Sequence, residues 1–337
     1  MPSAADFPRH LVSVTDLTPA QVSRLLERAQ ALRATPRSSA RTLLDGAVVA
    51  TLFFQPSTRT RLGFEAAALR LGARVTGFAD PSTSRSVEWI GESLEDTVQV
   101  VSELSDAVVL RHFVAGAGVR AARVAACPVV NGGDGSNEHP TQALSDVWTL
   151  WRHLGGVAGA VVAVVGDPGT RVLRSLVLLL ARSGVGRLLF LVPPGVPLLP
   201  PPAAGIVHHA LPADLEAALA AYAVPYEFRG SVEELLVEAD AVEMMPIDIP
   251  SLEADPRSLT EAAQVTPEQY RITAAKIRAT RSRALVLHPG PRKDELHPDV
   301  DQLAQGLYFT QVRDSLYLRM AVLDLLAGPR LRQEVAA

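Results

Sequence analysis

Runs of apolar residues alternate along the chain with segments of helical spacing. The run from Val48 to Phe54 is apolar at every position but one, which is typical of a buried parallel strand. Similar runs predict further strands at 72–78, 107–110, 128–131, 161–165, 188–192, 241–245 and 284–287. Helical spacing or helix-start signals predict helices at 14–34, after the turn at 57–61, at 92–104, 119–126, 140–154 and 171–183, from 231, and at 308–326. This order predicts an α/β protein with two doubly wound, parallel-sheet domains joined by interdomain helices.

The chain has 337 residues, which suits two domains. We predict one domain over 1–147 together with a C-terminal helix at 311–337, and a second over 148–310. Two stretches rich in proline are predicted to be loops, a surface loop at 193–202 and a mobile loop at 246–268.

Charge and composition narrow the range of partners. The formal net charge is -4 and no polybasic stretch occurs, so neither a nucleic acid nor a membrane is an expected partner, and a small substrate is favoured. The chain shows neither a signal peptide nor a run of 18 apolar residues. Cys127 is the only cysteine, so no internal disulfide can form. We therefore expect a cytoplasmic protein.

The turn after the strand at 48–54 is the strongest candidate for a binding site. Pro56 ends the strand, and Ser57-Thr58-Arg59-Thr60-Arg61 should open the next helix. Backbone N–H groups at a helix N-terminus attract anions, and here hydroxyl and guanidinium donors stand in the same turn. The alternative is an ordinary N-cap with surface arginines. Two arginines in one turn favour an anion site, and phosphate is the anion we expect.

Polar residues also follow four other predicted strands, at the edge where open α/β sheets bind ligands. They stand at 111–112, 132–142, 166–171 and 288–292. Pro140 suits the first position of a helix, which fixes His139 at the helix mouth and Gln142 within one turn of it. His139 can then polarise a carbonyl group while Gln142 reads an amide. The scattered histidines suggest no metal site.

Four motifs with these residues occur in order along the chain, at 53–61 (FFQPSTRTR), 110–112 (LRH), 133–142 (GDGSNEHPTQ) and 288–295 (HPGPRKDE). With them the chain resembles the aspartate/ornithine carbamoyltransferase superfamily, and the third motif resembles its aspartate branch. The resemblance runs from about Arg9 to Leu326. It implies a carbamoyl-phosphate domain, an acceptor domain, a role in pyrimidine biosynthesis for the aspartate branch, and a closed trimer with active sites shared between subunits.

The resemblance also implies roles for individual residues. The phosphate of carbamoyl phosphate would be held by Ser57, Thr58, Arg59 and Thr60. The carbonyl oxygen would be bound by Arg111 and His139, as an oxyanion hole, and the carbamoyl amino group by Gln142 and the backbone carbonyls of Gly290 and Pro291. The expected catalytic residues are Arg59, Thr60, Arg111 and His139. Attack of an amine on an activated carbonyl requires alignment and charge stabilisation, so we expect neither a metal nor a cofactor.

Two segments depart from the aspartate branch. Its loop before Gly-Glu-x-Leu carries a lysine that reaches a neighbouring subunit, whereas the loop at 81–90 here has Arg85 as its only cation. Its Thr-Arg-x-Gln segment grips the carboxylates of aspartate, whereas this chain has Pro246 and Asp248 in place of the arginine and the glutamine. Arg171 matches the branch's other aspartate-binding arginine.

Three interpretations follow. The acceptor is an amine with one carboxylate other than aspartate, such as a diamino acid, bound by Arg171 and faced by Asp248. Alternatively it is aspartate, with Arg85 replacing the lysine and Arg292 reading the second carboxylate. In the third, the chain is a catalytically silent subunit that binds carbamoyl phosphate or a partner enzyme. The complete donor motifs argue against the third. A homotrimer or a multiple of it is expected in each case, with a regulatory or partner chain as an option.

Overall fold

The structure, a computed structural model, describes residues 7–83, 91–193, 211–247, 266–329 and 331. The chain divides into a first unit, formed by Met1–Trp148 and Val312–Ala337, and a second unit, formed by Thr149–Gln311. Most of the predicted loops at 193–202 and 246–268 lies outside the described residues. Among the described residues, no helix has the length and apolar character needed to cross a membrane.

The first unit is built on a parallel sheet with the order β2-β1-β3-β4 among its described residues. Its strands are β1 (Val48–Phe53), β2 (Arg74–Phe78), β3 (Ala107–His112) and β4 (Val129–Asp134). Its helices are α1 (Pro19–Ala34), α2 (Arg37–Ala40), α3 (Thr58–Leu71), α4 (Leu94–Glu103) and α5 (Ala117–Val124), and α6 (Pro140–Leu154) begins here.

The second unit is built on a second parallel sheet, with the order β7-β6-β5-β8-β9 among its described residues. Its strands are β5 (Val161–Val165), β6 (Arg187–Leu191), β7 (Tyr226–Phe228), β8 (Ala241–Met244) and β9 (Leu285–Leu287). Its helices are α7 (Arg171–Arg182), α8 (Ala213–Ala221), α9 (Val232–Glu238) and α10 (Ala274–Ala279). Helices α6 and α11 (Tyr308–Leu326) contain the two boundaries between the units.

Apolar strand residues form the core of each unit. One core of the first unit joins Ala50, Leu52, Val108 and Leu110 of the sheet to apolar residues of α4 and α5. In the second unit, residues of β5, β6 and β8 pack on α9 and α10. Strands buried by helices in this way explain the continuous apolar runs in the sequence. The predicted class, two parallel-sheet α/β domains, is confirmed.

Several predicted boundaries were wrong. The helix predicted over 14–34 is broken: a short 3-10 helix covers Val14–Asp16, and α1 begins at Pro19. Thr18 causes the break, because its side chain caps α1 in a capping box with Gln21. Strand β3 continues to His112 and β4 to Asp134, because the parallel ladder extends beyond the apolar runs. The short elements β7, α8 and α10 were not predicted.

Candidate active site

The turn after β1 places the predicted anion-binding residues at the N-terminus of α3. Ser57 occupies the N-cap position with φ -161° and ψ 112°, and its side chain makes no capping hydrogen bond to the helix. Ser57 therefore stands at the cap position without serving as a side-chain cap. The first N–H groups of a helix have no partner within the helix, and the helix dipole makes this end positive. This local structure is suited to an anion.

Three predicted residues of the first unit, Thr60, Arg111 and His139, lie together and are almost fully buried. The Oγ1 atom of Thr60 lies 3.3 Å from Nε2 of His139. Arg111 donates from Nη1 to the carbonyl oxygen of Gly132 over 3.0 Å. The sheet explains why these three side chains lie together. Strands β1, β3 and β4 follow one another in the parallel sheet, so their carboxyl ends lie at the same edge.

The backbone of Gly132 and Gly133 forms the centre of this group. A Cβ atom at Gly133 would lie 2.6 Å from Nη1 of Arg111 and 3.2 Å from Cδ2 of His139. A Cβ atom at Gly132 would lie 3.2 Å from Cγ2 of Thr60. Gly133 also has a φ of +109°, which side chains rarely adopt. Glycine is therefore required at 133 for the two cationic or polarising side chains to approach each other.

Asn131 and Asp134 hold the segment that carries the glycines, and sequence reasoning gave neither a role. The side chain of Asn131 donates to Oδ1 of Asp134 over 2.8 Å and accepts from the N–H of Gly133 over 2.8 Å. Asp134 also accepts from the N–H groups of Glu138, over 3.2 Å, and of Gly118, over 3.3 Å. The sequence signal that would have found Asp134 is an aspartate between two glycines at the end of a strand. The network fixes the path of the chain up to His139.

The other donor-side residues differ in exposure. Ser57 and Arg59 are half-buried, and Thr58 is exposed. Gln142 lies in the first turn of α6, is 7% exposed and donates from Nε2 to Oδ1 of Asp146 over 2.7 Å. Three of the predicted phosphate donors thus keep access to solvent, whereas the fourth, Thr60, is enclosed with His139.

In the second unit, the ends of β5 and β8 lie side by side, and the predicted acceptor residue Arg171 follows β5 in the chain. Val165 pairs with Met244, and a Cβ atom at Gly166 would lie 2.8 Å from Cβ of Met245. Arg171 is the first residue of α7 and is half-buried. The turn before it carries Asp167, whose pKa is raised because burial disfavours its charged form.

The motif at 288–295 folds around a buried hydrogen bond between a histidine and a glutamate. Nε2 of His288 lies 2.8 Å from Oε1 of Glu295, and both side chains are fully buried. Because Nδ1 of His288 accepts from the N–H of Gly290 over 2.8 Å, Nε2 carries the hydrogen that is donated to Glu295. The Gly290–Pro291 peptide that follows is cis.

Arg292 is held inside the second unit. Its two terminal nitrogens donate to both oxygens of Asp301 over 2.7 and 2.6 Å. Its guanidinium also lies over the ring of Tyr308, 4.6 Å from the centroid. An acceptor carboxylate would have to compete with Asp301 for this group. The acceptor role predicted for Arg292 stays a prediction.

Two predicted residues, Arg85 and Asp248, lie outside the described residues. Within the described ranges, no cluster of three or more histidine, cysteine, aspartate or glutamate residues is placed to hold a metal ion.

Family models decide what kind of protein carries this site. Residues 9–152 match the aspartate/ornithine carbamoyltransferase, carbamoyl-P binding domain, and residues 158–326 match the Asp/Orn binding domain of the same family. The chain belongs to the aspartate/ornithine carbamoyltransferase family. The resemblance predicted from the four motifs is confirmed, and with it the class of enzyme, a carbamoyltransferase.

Related proteins align with this chain over almost its whole length. The chain is 35% identical over 329 residues to the aspartate carbamoyltransferase catalytic subunit of Phocaeicola vulgatus, and the alignment covers 97% of each chain. The corresponding subunit of Bacteroides fragilis is 35% identical over 326 residues, covering 96% of this chain and 98% of the relative.

Solved structures agree with this assignment. The catalytic subunit of M. jannaschii aspartate transcarbamoylase superposes with a TM-score of 0.80 at 33% identity, covering 95% of this chain and 98% of that one. Aspartate transcarbamoylase from Trypanosoma cruzi, solved with carbamoyl phosphate and aspartate, has a TM-score of 0.80 at 28% identity, covering 96% and 99%. The fold of the carbamoyltransferase is thus that of the aspartate transcarbamoylases.

Proposed function

We propose that this carbamoyltransferase uses carbamoyl phosphate as its donor and transfers the carbamoyl group to the amino group of an amino-acid-like acceptor, releasing phosphate. The main support for this proposal is that the buried side chains of Thr60, Arg111 and His139 lie together around Gly132–Gly133. Thr60 is in the first turn of α3, whose N-terminus has no side-chain cap. Such a group offers a guanidinium and an imidazole to one carbonyl oxygen, next to the Thr60 hydroxyl that is predicted to hold the phosphate.

In this mechanism the amine nitrogen attacks the carbonyl carbon, and the bond to the phosphate oxygen then breaks. Negative charge develops on the carbonyl oxygen, where Arg111 and His139 stabilise it as hydrogen-bond donors fixed in advance. Ser57, Thr58 and Arg59 bind the leaving phosphate together with the N–H groups of α3. Gln142 holds the carbamoyl amino group, a role also predicted for the backbone carbonyls of Gly290 and Pro291.

The acceptor we propose carries one carboxylate and is not aspartate. Arg171 binds that carboxylate from the start of α7, which follows β5, the strand that pairs with β8. After β8 the chain supplies Pro246, which has no side-chain donor, and then Asp248, which would repel a second carboxylate. A neutral or cationic second arm therefore fits better than that of aspartate.

Aspartate is the second candidate, and the names of the relatives favour it. The relatives from Phocaeicola vulgatus and Bacteroides fragilis are both called aspartate carbamoyltransferase catalytic subunits, and the Trypanosoma cruzi structure was solved with aspartate. Binding of both carboxylates would then need other cations, for which Arg85 and Arg292 are the predicted sources. We also propose a homotrimer, by the same resemblance, which light scattering coupled to size-exclusion chromatography would test.

The deciding experiment is incubation of the enzyme with isotope-labelled carbamoyl phosphate and a panel of amines, with ureido products identified by mass. Arg59→Ala and His139→Ala should abolish product formation without unfolding the chain. Arg61→Ala is the matched control, because Nε of Arg61 pairs with Glu65 over 2.7 Å in the same helix. Normal single-turnover rates in both site variants would refute the donor assignment. Absence of product with every amine, despite binding of carbamoyl phosphate, would favour a catalytically silent subunit.

A further inference from the structure

The orientation of the Gln142 amide is set by a residue one turn further along α6. Nε2 of Gln142 donates to Oδ1 of Asp146 over 2.7 Å, and both residues are buried. A carboxylate accepts hydrogen bonds but cannot donate them, so it selects the NH₂ end of the glutamine amide. The carbonyl oxygen Oε1 is then the end of the amide left for a substrate.

A buried arginine of α11 interacts electrostatically with Asp146. Arg319 is 2% exposed, and burial lowers its pKa to about 10, while the negative charge of Asp146 acts in the opposite direction. Arg319 therefore remains a cation at neutral pH. Nη1 of Arg319 donates to Oγ of Ser315 over 2.5 Å, and its guanidinium lies 5.6 Å from the ring centroid of Phe64 in α3. A buried carboxylate is costly unless an opposite charge accompanies it.

A glycine inside α3 provides the space for the Arg319 side chain, although glycine disfavours a helix. Gly63 lies inside α3, where a glycine is less favourable than alanine by about 1 kcal/mol. A Cβ atom at that position would lie 2.5 Å from Nη1 of Arg319. The glycine therefore has a packing reason, which is the close approach of α3 to the guanidinium. Three helices of the first unit thus meet at Arg319, and one of them begins at the anion-binding turn.

We propose that Asp146, supported by the charge of Arg319, is a positioning residue that makes Gln142 present only a hydrogen-bond acceptor to the donor substrate. The enzyme would thereby select acyl phosphates with an N–H group, as in carbamoyl phosphate, over those with a methyl group, as in acetyl phosphate. This inference rests on the proposed function, since it assigns Gln142 to the donor.

Asp146→Asn is the direct test. Arg319 attracts the oxygen end of the new amide, which turns its NH₂ group toward Gln142 and reverses the Gln142 amide. The KM for carbamoyl phosphate should then rise at least about tenfold, because an N–H group would face an N–H group. The inhibition constant of acetyl phosphate, used as a competitor, should change by less than about twofold, because a methyl group makes no hydrogen bond. The measured quantity is the ratio of the KM for carbamoyl phosphate to the inhibition constant of acetyl phosphate. A general loss of structure would weaken both ligands and would not raise this ratio.

Asp324→Asn is the matched control. Asp324 is 3% exposed in α11 and accepts from Nε of Arg28 over 2.7 Å, so it is another buried carboxylate paired with an arginine. Its variant should leave the ratio unchanged. Should Asp146→Asn fail to fold, Asp146→Leu combined with Arg319→Met removes both charges, which is tolerated better than leaving one alone. That variant also frees the Gln142 amide and should shift the ratio in the same direction.

The outcomes separate this inference from the proposed function. A parent enzyme that neither binds nor uses carbamoyl phosphate refutes the proposed function before any variant is made. If the parent uses carbamoyl phosphate, an unchanged ratio in the folded Asp146 variants overturns the positioning role. Equal weakening of both ligands overturns it too, since that result assigns Asp146 to structure alone.

Discussion

The hydroxyl oxygen of Thr60 lies 3.3 Å from Nε2 of His139, which joins the first turn of α3 to the residue that precedes α6. The Oγ1 atom of Thr141 lies 3.4 Å from the other ring nitrogen of the same histidine. Hydroxyl groups thus flank both nitrogens, and each can donate or accept. The turn predicted to bind phosphate and the proposed carbonyl-polarising histidine are therefore positioned by each other.

Thr60→Val should lower kcat/KM for carbamoyl phosphate by roughly ten- to a hundredfold, because it removes one hydrogen-bonding partner of His139 and one predicted phosphate donor. Steady-state kinetics with carbamoyl phosphate varied would measure the loss. Thr51→Val is the control: Thr51 is equally buried, and its hydroxyl donates to Glu65 over 3.2 Å. Equal kinetic losses in both variants would contradict a role for Thr60 at the site.

Gly133→Ala should cost about a hundredfold in kcat/KM, because the new methyl group would displace Arg111 or His139 by a large fraction of an ångström. The variant also carries the strain of a positive φ, of about 1–2 kcal/mol. Gly116→Ala isolates that strain, since Gly116 has a φ of +81° and no atom within 4 Å of its would-be Cβ. Activity near that of the parent in Gly133→Ala, with a folded protein, would show that the close approach of the two side chains is not needed.

Arg292→Ala and Asp301→Asn should lower the free energy of unfolding by similar amounts, about 1.5–3 kcal/mol each, because each breaks the same pair of charge-assisted hydrogen bonds. Chemical denaturation would measure both. We expect the acceptor KM to change by less than about threefold in either variant. A large rise in acceptor KM for Arg292→Ala alone would instead support the acceptor-binding role predicted from sequence.

The anion turn was predictable because its signals are local. An apolar run, a proline and a cluster of hydroxyl and guanidinium residues mark the end of β1 and the start of α3 without knowledge of distant contacts. The meeting of strand ends was also predictable, since parallel strands in an α/β sheet direct their carboxyl ends to one edge. The donor side of the site follows from these two rules together with the motifs.

Contacts that depend on tertiary packing were not predictable. Asp301, the partner of Arg292, lies in a short 3-10 helix at Pro298–Gln302, which has no periodic apolar pattern. Arg319 stands in a helix with few other charges, and nothing in its spacing points to Asp146. Gly63 looks like an unfavourable helix residue until the guanidinium beside it is known. Each of these residues takes its role from a partner far away in sequence.

His112 should make the stability of the chain depend on pH. Burial, and to a smaller extent the charge of Arg120, lowers its pKa from 6.5 to about 4. The unfolded chain therefore takes up a proton at a higher pH than the folded chain, so stability from this group is complete above about pH 6.5 and is lost as the pH falls toward 4. The loss should amount to roughly 3 kcal/mol.

Denaturant titrations between these pH values, on the parent and on His112→Asn, would isolate this contribution. Asparagine keeps an acceptor for the N–H of Val114, which donates to Nδ1 of His112 over 2.9 Å, but it does not titrate. The variant should lose less stability on acidification than the parent. Parallel curves for the two proteins would exclude His112 as the source.

Pro246→Arg combined with Asp248→Gln should convert the acceptor preference toward aspartate. The pair of changes adds a guanidinium for the second carboxylate shortly after β8 and removes a repelling charge two residues later in the sequence. A charge-assisted pair is worth about 1.5–3 kcal/mol, so the KM for aspartate should fall by roughly ten- to a hundredfold. The single change Pro246→Gln is the control, because it restores an N–H group and a polar side chain without adding charge.

Competition between aspartate and a monocarboxylate diamine in one reaction, with the products identified by mass, would show the change of preference directly. Tight use of aspartate by the parent, with no gain in the double variant, would mean that other cations already bind the second carboxylate and that the acceptor is aspartate itself.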